Sequence, residues 1–460
     1  MREVRYSTTR ALACAAAFLA TLALPTPASA AQPTIVTPDT PSGHALTSWL
    51  DAFNSGERER IKIYDEAHIP WLTLDDAMDM RKRTGGYELQ SIGRSGKLWL
   101  TFTAREKGNS APISGALVVK PDTDGAISLL TLNPAGPEPE VVKLSAAQRD
   151  QVIDGAARLL VEHYIFPEQG QTMAAALEAQ RKRGDYAGII NGEILATRLT
   201  DDLRATSHDL HMGVHFSWDV VPPDPPDDQG PPDTPNPPGS HRDIDPKRKA
   251  QLEARNCGFE KAEHLPPNIG YLKFNEFADP DICAKTAAAA MNFVADSDAL
   301  IIDLRDNHGG RSEMVTLLAS HFFAERTHLN DVYRRSDNRT EESWTAASVA
   351  GKRFLDKPVY LLTSRQTFSA AEDFSYALKN LKRATVVGET TGGGAHPIGP
   401  HRINAHFYVI VPIARSISTI TPTDWEGTGV EPDIKVPAAD ALEEALRRAR
   451  APRAAKQGGE

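Results

Sequence analysis

The chain has 460 residues and is 40% hydrophobic, 24% charged and 7% aromatic, ordinary globular usage that excludes collagen-like, coiled-coil and wholly disordered classes. Its formal charge of −10 includes a net +2 from Arg2, Arg5, Arg10 and Glu3, which leaves −12 for the residues after position 30. No Lys/Arg block offers a footprint for nucleic acid, and no basic amphipathic helix suits an anionic membrane.

Residues 1–30 read as a secretory signal: three arginines, the apolar run Ala11 to Leu24, Pro25 and Pro27 as breakers, and Ala28-Ser29-Ala30 as a small-residue cleavage site. No later apolar run is long enough to cross a bilayer. Cleavage would leave an exported protein, periplasmic or secreted, with two of its three cysteines. Cys257 and Cys283 could then pair as a disulfide or remain buried thiols. Neither lies in a C-x-x-C pair, so no zinc or thioredoxin-like site is expected.

At roughly 100–200 residues per domain, two or three domains are expected. Residues 31–137 read as a small α+β domain. Apolar residues recur at three and four from Gly43 to about Arg83, and strand-like runs follow at Tyr87–Ile92, Leu98–Ala104, Gly115–Lys120 and Ile127–Leu132. Residues 141–218 should hold helices over Ala146–Tyr164, Thr172–Arg183 and Gly192–Ala205, then a strand over Met212–Trp218. Residues 219–250 read as an acidic linker, because 222–238 alone contain nine prolines and cannot bury enough apolar surface to fold.

From 268 to 437 strands and helices alternate. Strands are expected at Ile269–Phe274, Ala299–Leu304, Val359–Thr363 and Thr385–Val387. Helices are expected at Ala284–Ala295, Glu313–Phe323 and Ala370–Leu381. Apolar strands between helices predict an α/β layered core with both sheet faces covered. Residues 438–460 should form a helix and a polar tail.

Four stretches could carry chemistry. In Thr363-Ser364-Arg365-Gln366-Thr367-Phe368-Ser369-Ala370-Ala371-Glu372, an apolar strand ends and Ser369 opens a helix. Ser369 could simply cap that helix with Glu372 as capping-box partner. The same geometry would let the helix N-terminus favour a developing alkoxide and the Ala370 N–H face an oxyanion. Asp303-Leu304-Arg305-Asp306-Asn307-His308-Gly309-Gly310 follows the C-terminal end of a buried strand, where open α/β sheets place ligands, and its Gly pair could supply a second donor. Ser207-His208-Asp209-Leu210-His211-Met212-Gly213-Val214-His215 lacks a nearby Cys or Glu ligand, so a base for a serine fits better than a metal site. In Trp425-Glu426-Gly427-Thr428-Gly429, Glu426 is either an exposed turn carboxylate or the group that orients a histidine. Gly388–Pro397 is Gly-rich but lacks the Lys-Ser/Thr of a phosphate loop.

These segments, in this order, resemble the tail-specific protease family of serine peptidases, which includes the C-terminal-processing proteases, the tricorn core and the repeats of interphotoreceptor retinoid-binding protein. The matching stretches are NIGYLKF (268–274), DLRDNHGG (303–310), TSRQTFSAAE (363–372) with VGETT (387–391), and WEGTGVEPD (425–433). Residues 141–218, ending in SHDLHMGV, resemble the N-terminal cap of the retinoid-binding-protein-like branch. The resemblance implies a crotonase/ClpP-like layered peptidase core, Ser369 as nucleophile, and the backbone N–H groups of Gly310 and Ala370 as oxyanion hole.

Two departures matter. The processing proteases place an activating lysine about 25 residues after the serine, and that position here is Gly394. Nor is there room for a PDZ domain between Val220 and Asn268. Both point to the tricorn-like Ser-His-Glu arrangement, with Glu426 holding the base. The base maps to His211, or alternatively to His208; His396 is a third candidate in a setting more like a cleft wall. The resemblance thus implies a serine peptidase that acts on peptides or unfolded protein and needs no cofactor or metal. The alternative is a catalytically silent binder of apolar ligands on the same fold. Oligomeric state is not legible.

Overall fold

The computed structural model describes residues 35–136, 140–224, 246–421 and 423–451. The leader at 1–30, most of the proline-rich segment and the last nine residues lie outside them. By contact density the chain divides into two units, one of residues 1–155, 175–206 and 214–220, the other of residues 156–174, 207–213 and 221–460.

The chain opens with three helices, α1 (Pro41–Ser55), α2 (Arg58–His68) and α3 (Leu74–Thr84), so the long helical pattern is broken twice. Thr40 and Thr73 cap α1 and α3 by accepting the Gly43 and Asp76 N–H groups. Four antiparallel strands follow in sequence order: β1 (Tyr87–Ser95), β2 (Trp99–Glu106), β3 (Pro112–Val119) and β4 (Ile127–Pro134). Leu46, Trp49 and Phe53 of α1 recur at helical spacing and pack with Tyr87, Leu100, Phe102 and Leu117 in one core. Then come α4 (Ala146–His163), α5 (Pro167–Arg183), α6 (Gly192–Ser207) and the short β5 (Gly213–Phe216). In the first unit, α6 carries a buried ion pair, Arg198 to Asp202 at 2.6 Å, and the Tyr186 hydroxyl donates to the same carboxylate.

The rest of the second unit is built from α7 (Pro246–Ala254), β6 (Phe259–Leu265), β7 (Ile269–Phe274), α8 (Pro280–Val294), β8 (Ala299–Asp303), α9 (Ser312–Ala319), β9 (His328–Arg334), β10 (Arg339–Trp344), β11 (Val359–Thr363), α10 (Ala370–Asn380), β12 (Thr385–Gly388), β13 (Ile398–Arg402), β14 (Phe407–Pro412), β15 (Ala414–Ile417), β16 (Ile434–Lys435) and α11 (Ala441–Arg450). Its main sheet runs β16-β12-β11-β8-β7-β6 and is parallel except for β6, which pairs antiparallel with β7. Residues of α8, α9 and α10, among them Met291, Leu318 and Phe374, share one core with Leu300, Ile302 and Leu361. Ala441 and Ala445 of α11 pack with Ile301, Leu362 and Val387 from the alternate positions. The expected α/β core with both faces covered is therefore present. Cys257 and Cys283 are bonded to each other, and both are buried in the first of these two cores.

Three elements carry no periodic signal. Only Leu252 of α7 is buried, β6 is exposed along most of its length, and β10 is exposed or half-buried throughout.

Candidate active site

The parallel strands β8, β11 and β12 all point their C-terminal ends toward one edge, and the loops that leave them hold the candidates Gly310, Ser369 and His396. Ser369 lies between β11 and α10, half-buried, with φ +56° and ψ −123°. A positive φ at a serine is strained backbone of the kind found at functional turns. Its neighbours hold it there. Thr367 Oγ1 donates to Leu304 O at 2.8 Å, and Phe368 N–H donates to Asn307 O at 3.0 Å.

The turn after β8 is fixed from the other side. Asn307, fully buried, donates to Phe274 O and accepts the Gly309 N–H, both at 2.9 Å. Gly309 O accepts from Phe277 N at 2.8 Å, and Arg311 N donates to Phe277 O at 2.7 Å. This parallel bridge turns the Gly310 N–H away from Phe277. A Cβ on Gly309, at φ +97°, would lie 2.6 Å from Ser369 Cβ and 2.9 Å from Ala370 N, so the turn rests directly on the serine and the helix start. Ala370 N–H is the first of α10, with no acceptor in the preceding turn of the helix. Gly309 thus rests against Ser369 and Ala370, and Gly310 is the next residue of the same turn.

Glu372 supplies the second half of the expected capping box, and more. One oxygen accepts the Ser369 and Gly394 N–H groups, each at 2.8 Å; the other accepts the Gly393 N–H at 2.7 Å and the Thr391 hydroxyl. The side chain is fully buried. Burial lifts its pKa, and the four donors pull it back without cancelling the rise. Because one carboxylate oxygen bridges both, Gly394 lies within two hydrogen bonds of Ser369. Gly394 has no side chain to accommodate: a Cβ would sit 2.3 Å from Phe368 Cζ and 2.6 Å from His211 Cε1. The His211 ring packs on Phe368 with centroids 4.6 Å apart. The space that a lysine at position 394 would need is filled by the Phe368 ring and the His211 imidazole.

The third cluster corrects an expectation. Glu426 was expected to hold His211. Its Oε2 instead accepts the Ala395 N–H at 2.6 Å and lies 3.4 Å from His396 Nδ1, while Oε1 is buried with no hydrogen-bond partner among the described residues. The reason is position: Trp425 Nε1 donates to Gly394 O at 2.9 Å and Gly427 N–H to Gly393 O at 3.0 Å, which fastens residues 425–427 along the 393–396 loop. Burial, reinforced by the Asp209 charge, raises the Glu426 pKa to about 7. His396 Nδ1 in turn lies 2.8 Å from Asp209 Oδ2, which also accepts the Tyr164 hydroxyl at 3.2 Å. Asp209 Oδ1 accepts the backbone N–H of His211 at 3.0 Å. Burial pushes Asp209 up, but the His396 hydrogen bond and the charges of His396 and His211 leave it below its ordinary value. Burial pushes His396 down, and Asp209 and Glu426 more than offset that.

Ser369, Ala370 and the Gly309-Gly310 turn therefore lie together, the His211 ring packs on Phe368 beside Gly394, and Glu426 lies against His396. His396 is no bare cleft wall: it is 5% exposed and bracketed by two carboxylates. His208 is exposed, with φ +59°. Asp209, which sequence reading did not single out, is the buried carboxylate that meets His396. The ligating atoms of Asp209, His396 and Glu426 lie within 4.8 Å of one another, the one group of described residues close enough to hold a metal ion. The 2.8 Å contact between His396 and Asp209 is nevertheless that of a direct hydrogen bond.

Residues 268–436 match peptidase family S41, and residues 139–247 match the N-terminal domain of Peptidase S41 in eukaryotic interphotoreceptor retinoid-binding protein. The chain is 28% identical over 190 residues to carboxyl-terminal-processing peptidase 1, chloroplastic, of Arabidopsis thaliana, a match that covers 41% of this chain and 37% of that protein. It is 33% identical over 128 residues to the carboxyl-terminal-processing protease of Synechocystis, which covers 27% and 28%. The matched part is thus about a third of each curated relative. Among solved structures it is similar to the photosystem II D1 C-terminal processing protease, with a TM-score of 0.39, 16% identity, and coverage of 67% of this chain and 98% of that one.

Proposed function

We propose that this chain, which carries the domains of peptidase family S41, is an exported serine peptidase that cleaves peptides or unfolded protein with Ser369 as nucleophile and His211 as base. The observation that carries this reading is Gly394. Where the C-terminal-processing proteases have a lysine, this chain has no side chain, and the Phe368 ring and the His211 imidazole occupy the space beside Gly394, itself two hydrogen bonds from Ser369.

In this reading His211 takes the Ser369 hydroxyl proton as Oγ attacks the scissile carbonyl carbon. The tetrahedral oxyanion sits between the Gly310 and Ala370 N–H groups, each such donor being worth about 3–4 kcal/mol. His211 returns the proton to the leaving amine, and water attacks the acyl-enzyme by the same route. Asp209 accepts the backbone N–H of His211 and so positions the residue, while Glu426 lies against His396. Export is supported by the leader pattern at 1–30 and by the Cys257–Cys283 bond, which belongs to an oxidising compartment.

The test is hydrolysis of reduced, carboxymethylated lactalbumin, an unfolded substrate without residual structure. Wild type should release fragments and Ser369→Ala should release none. Cleavage that survives Ser369→Ala would overturn the proposal. A folded wild type that cleaves nothing would make the binder of apolar ligands the better reading.

A further inference from the structure

We propose that His396 is a positioning residue that holds the turn bearing His211 against the loop bearing Gly394; the inference rests on the reading of Ser369 and His211 above. Three segments far apart in sequence meet at its ring. Asp209 comes from the turn after α6, His396 from the loop after β12, and Glu426 from the turn before β16. The Asp209–His396 contact spans 187 positions of chain and measures 2.8 Å. Nothing local in the sequence requires it.

The contact acts on the base through a short chain of bonds. Asp209 is 2% exposed, and its two oxygens divide their work. Oδ2 faces His396 and the Tyr164 phenol, and Oδ1 receives the His211 N–H at 3.0 Å. The position of Asp209 therefore sets the backbone of His211. His396 lies two residues beyond Gly394, whose missing side chain makes the room the His211 ring occupies. One strut thus ties the base to the place it must fill. The Phe166 ring stands edge-on to His396, with centroids 5.5 Å apart.

The charges around His396 support a cation at that point. Asp209, Glu426 and the more distant Asp424 all favour it. The other polar neighbour is the Tyr164 hydroxyl on Asp209, and the Arg415 guanidinium lies on Phe166, 6.0 Å from its centroid. The Asp209–His396 hydrogen bond is buried and directional, and removal of His396 would leave Asp209 buried without that partner. A displacement of about 1 Å at a catalytic group costs up to roughly a hundredfold in rate.

The experiment compares full-length wild type, His396→Ala and His396→Asn. Asn can put an amide nitrogen near the place of Nδ1 without its charge. Two quantities are read: the inactivation of Ser369 by a fluorophosphonate, split into a maximal rate and a half-saturation concentration, and amide hydrogen exchange across 207–213. Thermal melting confirms that each variant is folded. His396→Ala should slow the maximal rate about ten- to a hundredfold, with half-saturation unchanged, and should speed exchange of the His211 amide. His396→Asn should recover a substantial part of both. Unchanged exchange and rate in His396→Ala would overturn the inference and leave the peptidase reading intact. An Asn variant no better than Ala, or an effect on half-saturation alone, would also overturn it. A wild type whose Ser369 does not react would sink the peptidase reading and the catalytic role of His396 with it, even if exchange still showed a strut.

Discussion

Gly394→Ala adds one methyl group where the structure has none to spare. The new Cβ would lie 2.3 and 2.5 Å from Phe368 Cζ and Cε2, and 2.6 Å from His211 Cε1. Carbon atoms settle at about 3.5–4.0 Å, so each ring must retreat by about 1 Å. Overpacking of this kind costs about 1–3 kcal/mol of stability. The larger effect is on the site, because the atoms that move include the base. A shift of about 1 Å at His211 should slow phosphonate labelling of Ser369 by up to roughly a hundredfold. The assay is a labelling time course with melting measured on the same samples. A variant that melts lower but labels at the wild-type rate would show that Gly394 serves packing alone, and the argument from the filled lysine space would fail.

Glu372→Gln replaces two acceptor oxygens by one acceptor and one NH2 group that must face N–H donors; melting should fall by the equivalent of about 3 kcal/mol, and an unchanged melt would mean the four bonds are not what orders the Ser369 turn. Cys257 and Cys283 close a loop with a separation of 26 residues. Chain entropy assigns such a loop about 3.5 kcal/mol, so a reductant should lower the melting temperature of wild type and leave Cys257→Ser/Cys283→Ser unmoved. Glu426 has a folded-state pKa raised by burial to about 7 from an ordinary 4.5. Its contribution to stability is thus fully present below about pH 4.5 and lost as pH rises through 7. Melting should drift down between pH 5 and 8, and Glu426→Gln should flatten that drift; a drift of equal size in the variant would refute the assignment.

Elements whose burial is periodic were readable. The bounds of β7 and β11 coincide with the apolar runs Ile269–Phe274 and Val359–Thr363, and α10 begins at the residue after Ser369. Elements that rest on the surface were not. β10 is Arg339-Thr340-Glu341-Glu342-Ser343-Trp344, half-buried at best, and its strand geometry comes from pairing with β9 rather than from any alternation of its own. The site divides the same way. Ser369, Ala370 and Gly310 lie in the segments that follow β11 and β8, so local motifs were enough to name them as candidates. Which imidazole meets which carboxylate depends on how loops nearly two hundred positions apart are fastened. Local sequence named the candidates His211, His396 and Glu426, but only the fold shows His396 between Asp209 and Glu426.

The most direct test of the central claim is covalent labelling of the purified chain with a serine-directed phosphonate, the adduct being mapped by peptide mass. The account predicts a single adduct at Ser369, absent in Ser369→Ala and lost in His211→Ala. An adduct at Ser369 that forms as fast in His211→Ala would remove His211 as the base, and no adduct on a folded wild-type protein would contradict an activated serine altogether.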